Sequence, residues 1–346
     1  MSSFRSRIIA LLTLAVLLLT NASVAGAVPQ RVEWASIDGA LATMASSSNL
    51  LVAEFRGSSC QTIHGRNQDQ RLAIASTFKL YVLGELARQI QLGEAAWDEQ
   101  IPLRNELRSM PSGDFAWAAA GTKVSLRDLA AAMIWNSDNT ATDHLIDRLG
   151  RDNVQRAFKA YGHGDPALNQ PLLTTKEMFG IKMSQSAAWM DAYEAASDDE
   201  QLAMLAETID PMQINPSGGW GIWNGPTAID GIEWFASADD LCRATAALWS
   251  MGAQPGLEPV RDILTGNRYG ITDTATWPRA GYKGGYEAGV VNMTFVLERK
   301  DGRVFFVSAG YNDPAWTVDT ATARSYLDPV FACLGSAKDV STCGAG

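Results

Sequence analysis

Basic residues, histidine and cysteine are scarce in this chain, and each scarcity narrows what it can do. Of 346 residues, 28 are Lys or Arg against 38 Asp or Glu, a net charge of −10. A surface of that sign repels polyanions, which argues against nucleic acid and anionic membrane faces as partners. The three histidines, His64, His144 and His163, are scattered, and no cysteines pair at metal-ligand spacing. No zinc site and no cofactor are expected. The four cysteines, Cys60, Cys242, Cys333 and Cys343, suit two disulfides in an exported chain. Three pairings are open, of which Cys333 with Cys343 closes the shortest loop. There is no internal repeat, low-complexity tract or long linker. The apolar run Ile8 to Leu19 follows Arg5 and Arg7 and precedes Ala25-Gly26-Ala27. It is too short to span a bilayer comfortably, and no charged stop-transfer segment follows it. It reads as an export signal, residues 1–27, cleaved after Ala27. The product, residues 28–346, would carry a net charge of −12 (26 basic, 38 acidic). It would keep no stable membrane anchor and would be secreted or periplasmic.

What is present is a large apolar fraction, 47%, enough for the core of a single domain over residues 28–346. Arg31 to Ser46 reads as a helix. Leu50 to Phe55 and Cys60 to Gly65 read as two strands joined by the turn-rich Arg56-Gly57-Ser58-Ser59. Ala280 to Tyr286, Val290 to Glu298 and Val304 to Gly310 read as three more, followed by a terminal helix over Thr317 to Leu334. The middle reads as helical: Thr77 to about Gly93, Ser125 to Trp135, Thr140 to Leu149, a helix from Thr174, Glu200 to Ile209, and Ser237 to Met251. Ser125-x-x-Asp128 and Thr174-x-x-Glu177 have capping-box spacing. The expected fold class is α/β (α+β), with a five-stranded, mostly antiparallel sheet covered by the terminal helices. An α/β lobe of about 28–70 and 266–346 would flank an all-helical lobe of about 71–265. The glycine-rich stretch Gly218 to Pro226 carries Trp220 and Trp223. It reads either as a flexible aromatic lid or as a loop pinned by burying both indoles.

The chemistry centres on Ser76-Thr77-Phe78-Lys79. A serine at a helix start sits at the positive end of the helix dipole and can cap it, and a lysine three residues on lies one turn up on the same face. A hydroxyl needs a base before it is a good nucleophile, and a desolvated lysine can serve. Ser-x-x-Lys alone is common. Here Ser137-Asp138-Asn139 follows at a bend between two helices, and Lys283-Gly284-Gly285 heads a β-hairpin. Ser-x-x-Lys, Ser-Asp-Asn and Lys-x-Gly, in that order, are the signature of the penicillin-recognising serine enzymes.

Over nearly all of residues 28–346 the chain resembles class A β-lactamases and their relatives. The resemblance implies a β-lactamase/transpeptidase-like fold and acylation of Ser76, with Lys79 as the base. It implies that Ser137 passes a proton to the leaving nitrogen, Asn139 binds a substrate amide, and Lys283 attracts a carboxylate beside Gly284 and Gly285. It places the oxyanion between the backbone N–H groups of Ser76 and Tyr286, and the Met110-Pro111-Ser112-Gly113 turn at the border of the cleft. A small-molecule β-lactam or peptidoglycan-like substrate and a monomeric enzyme are implied.

Two departures from the family matter. The Thr or Ser usual between the Lys and Gly of the third motif is Gly284. Losing one hydrogen bond to a charged group costs about 1.5–3 kcal/mol, roughly 10- to 100-fold in recognition, unless another group replaces it. Gly284 also frees space for a bulkier substrate. Second, the family's Glu-x-x-Leu-Asn loop supplies the glutamate that activates the deacylating water. Its nearest match here is Asp165-Pro166-Ala167-Leu168-Asn169, one methylene shorter and closer to Ser137. Asp165 also suits an Asp-Pro turn, and Glu177 is the second candidate base. The segment from Ser137 to Lys283 is longer than usual, with the extra length expected between Asp210 and Gly266. Three readings stay open: a β-lactamase-like hydrolase with slow deacylation, a D,D-peptidase or esterase on cell-wall-type substrates, and an acyl-trapping sensor that never deacylates.

Overall fold

The computed structural model describes residues 32–214 and 225–343. Two strands near the N-terminus, β1 (Ser47–Arg56) and β2 (Ser59–Arg66), join three near the C-terminus, β3 (Arg279–Glu287), β4 (Val290–Glu298) and β5 (Val304–Asn312). They form one sheet in the order β2-β1-β5-β4-β3, antiparallel throughout. Successive residues of a strand face opposite sides. Leu50 and Val52 therefore pack with Phe295, Phe305 and Val307 on one face, while Leu51, Ala53 and Phe55 pack with Val296 and Phe306 on the other. Burial on both faces accounts for the near-continuous apolar runs of these strands.

Helix α1 (Trp34–Met44) covers the first face through Trp34, Ile37 and Leu41, spaced as one helical stripe. Terminal helices Thr320–Ser325 and Asp328–Ser336 lie on the same face. They were expected as one helix over Thr317 to Leu334. Pro329 opens the second, where its missing N–H costs nothing, and would break a continuous one. The other face carries the helical residues, packed around α2 (Lys79–Gln91), which is buried along most of its length. Around it lie α3 (Leu126–Trp135), α4 (Asn139–Leu149), α5 (Arg151–Ala160), α6 (Thr175–Ser184) and helix Ala238–Met251. The expected helix over Glu200 to Ile209 is a helix at Asp198–Met204 running into a π-turn at Leu205–Ile209.

Both disulfides form, Cys333–Cys343 and Cys60–Cys242. The second ties β2 to helix Ala238–Met251. Among the described residues no helix is long and apolar enough to cross a membrane. The expected export signal and both loop tryptophans lie outside the described residues.

Candidate active site

Ser76 does not cap its helix. It lies inside a 3-10 turn, Ala75–Phe78, that runs into α2, and Ile74 occupies the cap position without a side-chain bond. Ala75 just before it is held at φ 43°, a left-handed conformation that costs a residue with a Cβ on the order of 1–2 kcal/mol. The surroundings enforce it. A Cβ on Gly285 of β3 would stand 1.9 Å from Ile74 O and 3.0 Å from Ser76 N, so only glycine lets the edge strand lie against this turn. Thr77 Oγ1 donates to Asn292 Oδ1 on β4 (3.0 Å), and Phe78 stacks on Trp234 with centroids 3.8 Å apart.

Ser137 is also left-handed, at φ 56°. Asp138 follows and caps α4, accepting from Ala141 N at 2.7 Å and from Phe115 N at 2.9 Å. Ser112 Oγ donates to Ser137 O (2.6 Å), and Asn139 Nδ2 donates to Met110 O (3.1 Å). Gly113, at φ 101°, passes so close to Asp138 that a Cβ would meet its Cγ at 2.1 Å. The 110–113 turn is thereby fastened to the Ser137 bend.

Two buried lysines converge on Ser137. Lys79 Nζ lies 2.7 Å from Ser137 O, 2.6 Å from Asn139 Oδ1 and 3.1 Å from Ser137 Oγ. Lys283 Nζ lies 3.1 Å from the same Oγ. Burial lowers the Lys79 pKa to about 7, against the opposing pull of Asp138 and Asp143. Burial, and then the charge of Lys79, pushes Lys283 well below the usual lysine range. A neutral amine has two N–H groups and one lone pair. Both lysines donate to Ser137 Oγ, and in its neutral form Lys79 also has a lone pair that can accept a proton, so the three groups can serve as a proton relay. Among the described residues no hydrogen bond joins Ser76 Oγ to Lys79.

A cavity of about 530 Å³ opens over this centre, bordered by Ser76, Ser137, Trp135, Tyr282, Lys283 and Tyr286. Gly284 and Gly285 border it too. Four expected site residues do not: Lys79, which lies beneath Ser137, and Asn139, Glu177 and Asp165. Asn139 is wholly buried, and both ends of its amide are engaged inside the protein. It holds Lys79 and the 110–113 turn rather than facing a substrate amide. Glu177 closes the capping box of α6, accepting from Thr174 N at 2.6 Å, and takes two guanidinium bonds from Arg151 at 2.9 and 2.5 Å. Asp165 heads a short turn pinned elsewhere, through Asn169 to Phe235 (2.9 and 3.0 Å) and through Gly164 N to Asp240 (2.7 Å). Neither carboxylate is placed to hold water over Ser76. Among the described residues no Asp or Glu borders the cavity, and residues 215–224 contain none.

Residues 21–215 match the β-lactamase enzyme family. The chain belongs to that family. β-Lactamase L2 of Stenotrophomonas maltophilia is 31% identical over 94 residues, 27% of this chain and 31% of that protein, so the match spans about a third of the curated relative. The crystal structure of a β-lactamase from Sphaerobacter thermophilus superposes with a TM-score of 0.59 at 19% identity, over 88% of this chain and 97% of that one. A mutant of PBP-A, solved as an acyl-enzyme with penicillin G, superposes with a TM-score of 0.56 at 17% identity, over 89% and 98%. The reconstructed class A β-lactamase of the last common ancestor of Gram-negative bacteria gives 0.58 at 15%, over 87% and 96%. The α/β fold is thus the β-lactamase fold, and the family match makes this a β-lactamase-like serine enzyme.

Motif reading of this β-lactamase-family chain passed over two features. Tyr282 stacks on Tyr269 at 4.0 Å and fills the space beside Gly284. Lys182 lies 2.6 Å from Glu287 Oε1 and 3.9 Å from Glu233 Oε1, with all three side chains buried. Lys182, Glu233 and Glu287 come from segments far apart in sequence, and only the fold unites them.

Proposed function

We propose that this protein is an exported class A-like serine hydrolase, acylated at Ser76 by a β-lactam or similar amide and slow to release the acyl group. The observation that carries this reading is a cavity that brings Ser76 together with Ser137 and Lys283, with Lys79 beneath Ser137, and that no carboxylate of the described residues borders. Ser76 Oγ attacks the carbonyl carbon while its proton passes to Lys79. The oxyanion rests on the backbone N–H groups of Ser76 and Tyr286. The C–N bond then breaks, Ser137 protonates the leaving nitrogen, and Lys79 returns a proton to Ser137. Lys283 holds the substrate carboxylate, a group that β-lactams and peptidoglycan stem peptides share. Hydrolysis of the ester needs a group to deprotonate water, and none is supplied at the family's usual place. That same lack favours a second reading, an acyl-trapping sensor.

Intact-mass analysis after exposure to a reactive β-lactam should show one adduct, absent in Ser76→Ala. An adduct that persists in Ser76→Ala would refute the assignment. Export is tested by N-terminal sequencing of secreted protein, which should begin at Val28; a mature protein retaining Met1 contradicts it.

A further inference from the structure

Gly284 leaves the third motif without its hydroxyl, and another residue stands in the gap. A Cβ built on Gly284 would lie 2.0 Å from Tyr282 Oη and 2.5 Å from Tyr282 Cζ. The phenol oxygen therefore sits roughly where a Thr or Ser at position 284 would carry its own side chain. Strand geometry makes this natural. Residues i and i+2 share a face, so Tyr282 reaches the space beside residue 284 while Lys283, on the other face, reaches Ser137. The ring is held in place, stacked on Tyr269 (4.0 Å, 11°) and packed against Phe295 (4.8 Å). Tyr282, Lys283, Gly284 and Ser137 border the same cavity. The space that Gly284 was expected to free for a bulkier substrate is occupied.

We infer that Tyr282 is a specificity-determining residue for anionic substrates, its hydroxyl donating to the substrate carboxylate that Lys283 attracts and so replacing the hydroxyl lost at Gly284. The inference rests on the acylation reading of the site. Burial, and then the Tyr269 hydroxyl to which it is hydrogen-bonded, hold the Tyr282 phenol above its ordinary pKa, so it is a neutral donor at working pH that would exchange Tyr269 for the substrate carboxylate. A donor to a charged acceptor makes one of the stronger hydrogen bonds, and a stacked, rigid ring loses little freedom on making it.

The test compares a penicillin as the free acid with its methyl ester, which lacks the charge. Ser76 acylation is followed by intact mass. Wild-type protein should prefer the acid. Tyr282→Phe deletes only the hydroxyl and should lower acylation kcat/KM for the acid about 10- to 100-fold, with the ester unchanged. Fluorophosphonate labelling of Ser76 should be unchanged, which checks that the nucleophile is intact. Tyr282→Ala combined with Gly284→Thr removes the ring and reinstalls a hydroxyl, and should recover the acid preference. An unchanged acid-to-ester ratio in Tyr282→Phe overturns the inference, as does an equal fall for both substrates. Wild-type protein acylated equally by acid and ester overturns this inference alone. Wild-type protein acylated by neither overturns the acylation reading, and this inference with it.

Discussion

Lys79→Arg keeps a cation in the site but removes the base. The Lys79 pKa of about 7 means that about half the molecules carry a free amine at pH 7. At an ordinary lysine pKa only about one in 3000 would. Protonated Lys79 cannot accept the Ser76 proton, so wild-type acylation should rise with pH through about 7. Arginine does not deprotonate in this range. The variant should lose the pH dependence, and its rate should fall by about 10²- to 10⁴-fold. The assay is the rate of covalent labelling by a fluorescent penicillin from about pH 5 to about pH 9, with thermal melting of each variant. Lys79 is fully buried, so the longer arginine strains the site. Lys79→Gln provides a second variant, and the wild-type profile needs none. Near-normal labelling by the arginine variant, or wild-type labelling independent of pH, would refute the role of Lys79.

Glu177→Ala should cost about 3 kcal/mol in urea unfolding, because Arg151 loses its partner but keeps some solvent. Glu177→Gln and Asp165→Asn should leave the lifetime of the acyl-enzyme unchanged; a longer lifetime in either would restore that carboxylate as the base. Burial and then the charge of Glu287 raise the Glu233 pKa well above the usual range. Its stabilising contribution is full below the unfolded carboxyl pKa of about 4.3 and is lost as pH rises towards the folded value. Glu233→Gln should therefore flatten the fall of Tm with rising pH, and an unchanged slope would contradict this. Chain entropy predicts that losing Cys60–Cys242, 182 residues apart, costs about 5 kcal/mol. Losing Cys333–Cys343, 10 apart, should cost about 3 kcal/mol. Equal losses in Cys→Ala pairs would count against that ordering.

The five strands and the Ser76, Lys79, Ser137 and Lys283 constellation were legible because they depend on local periodicity and short fixed spacings. The surroundings of the two candidate carboxylates, Asp165 and Glu177, were not. Asp165-Pro166 matches the spacing of a catalytic loop, but Pro166 opens a turn that Asn169 pins to Phe235, and Asp165 does not border the cavity. Glu177 was readable as the far end of a capping box from Thr174, and in the fold that is what it is. Asn139 was read as a ligand for a substrate amide; its burial against Lys79 could not be read from Ser-Asp-Asn alone. Tyr282 escaped notice because its place beside Gly284 depends on a ring stacked against Tyr269, a contact that no spacing encodes. The break before Pro329 was visible in the sequence and was read through.

Stopped-flow mixing of the protein with a chromogenic cephalosporin tests the central claim most directly. A site with a complete acylation relay and, among the described residues, no bordering carboxylate should release a burst of one equivalent of product per Ser76, followed by a slow steady state, with the acyl-enzyme visible by mass spectrometry throughout. Fast turnover with neither a burst nor a trapped adduct would contradict the account.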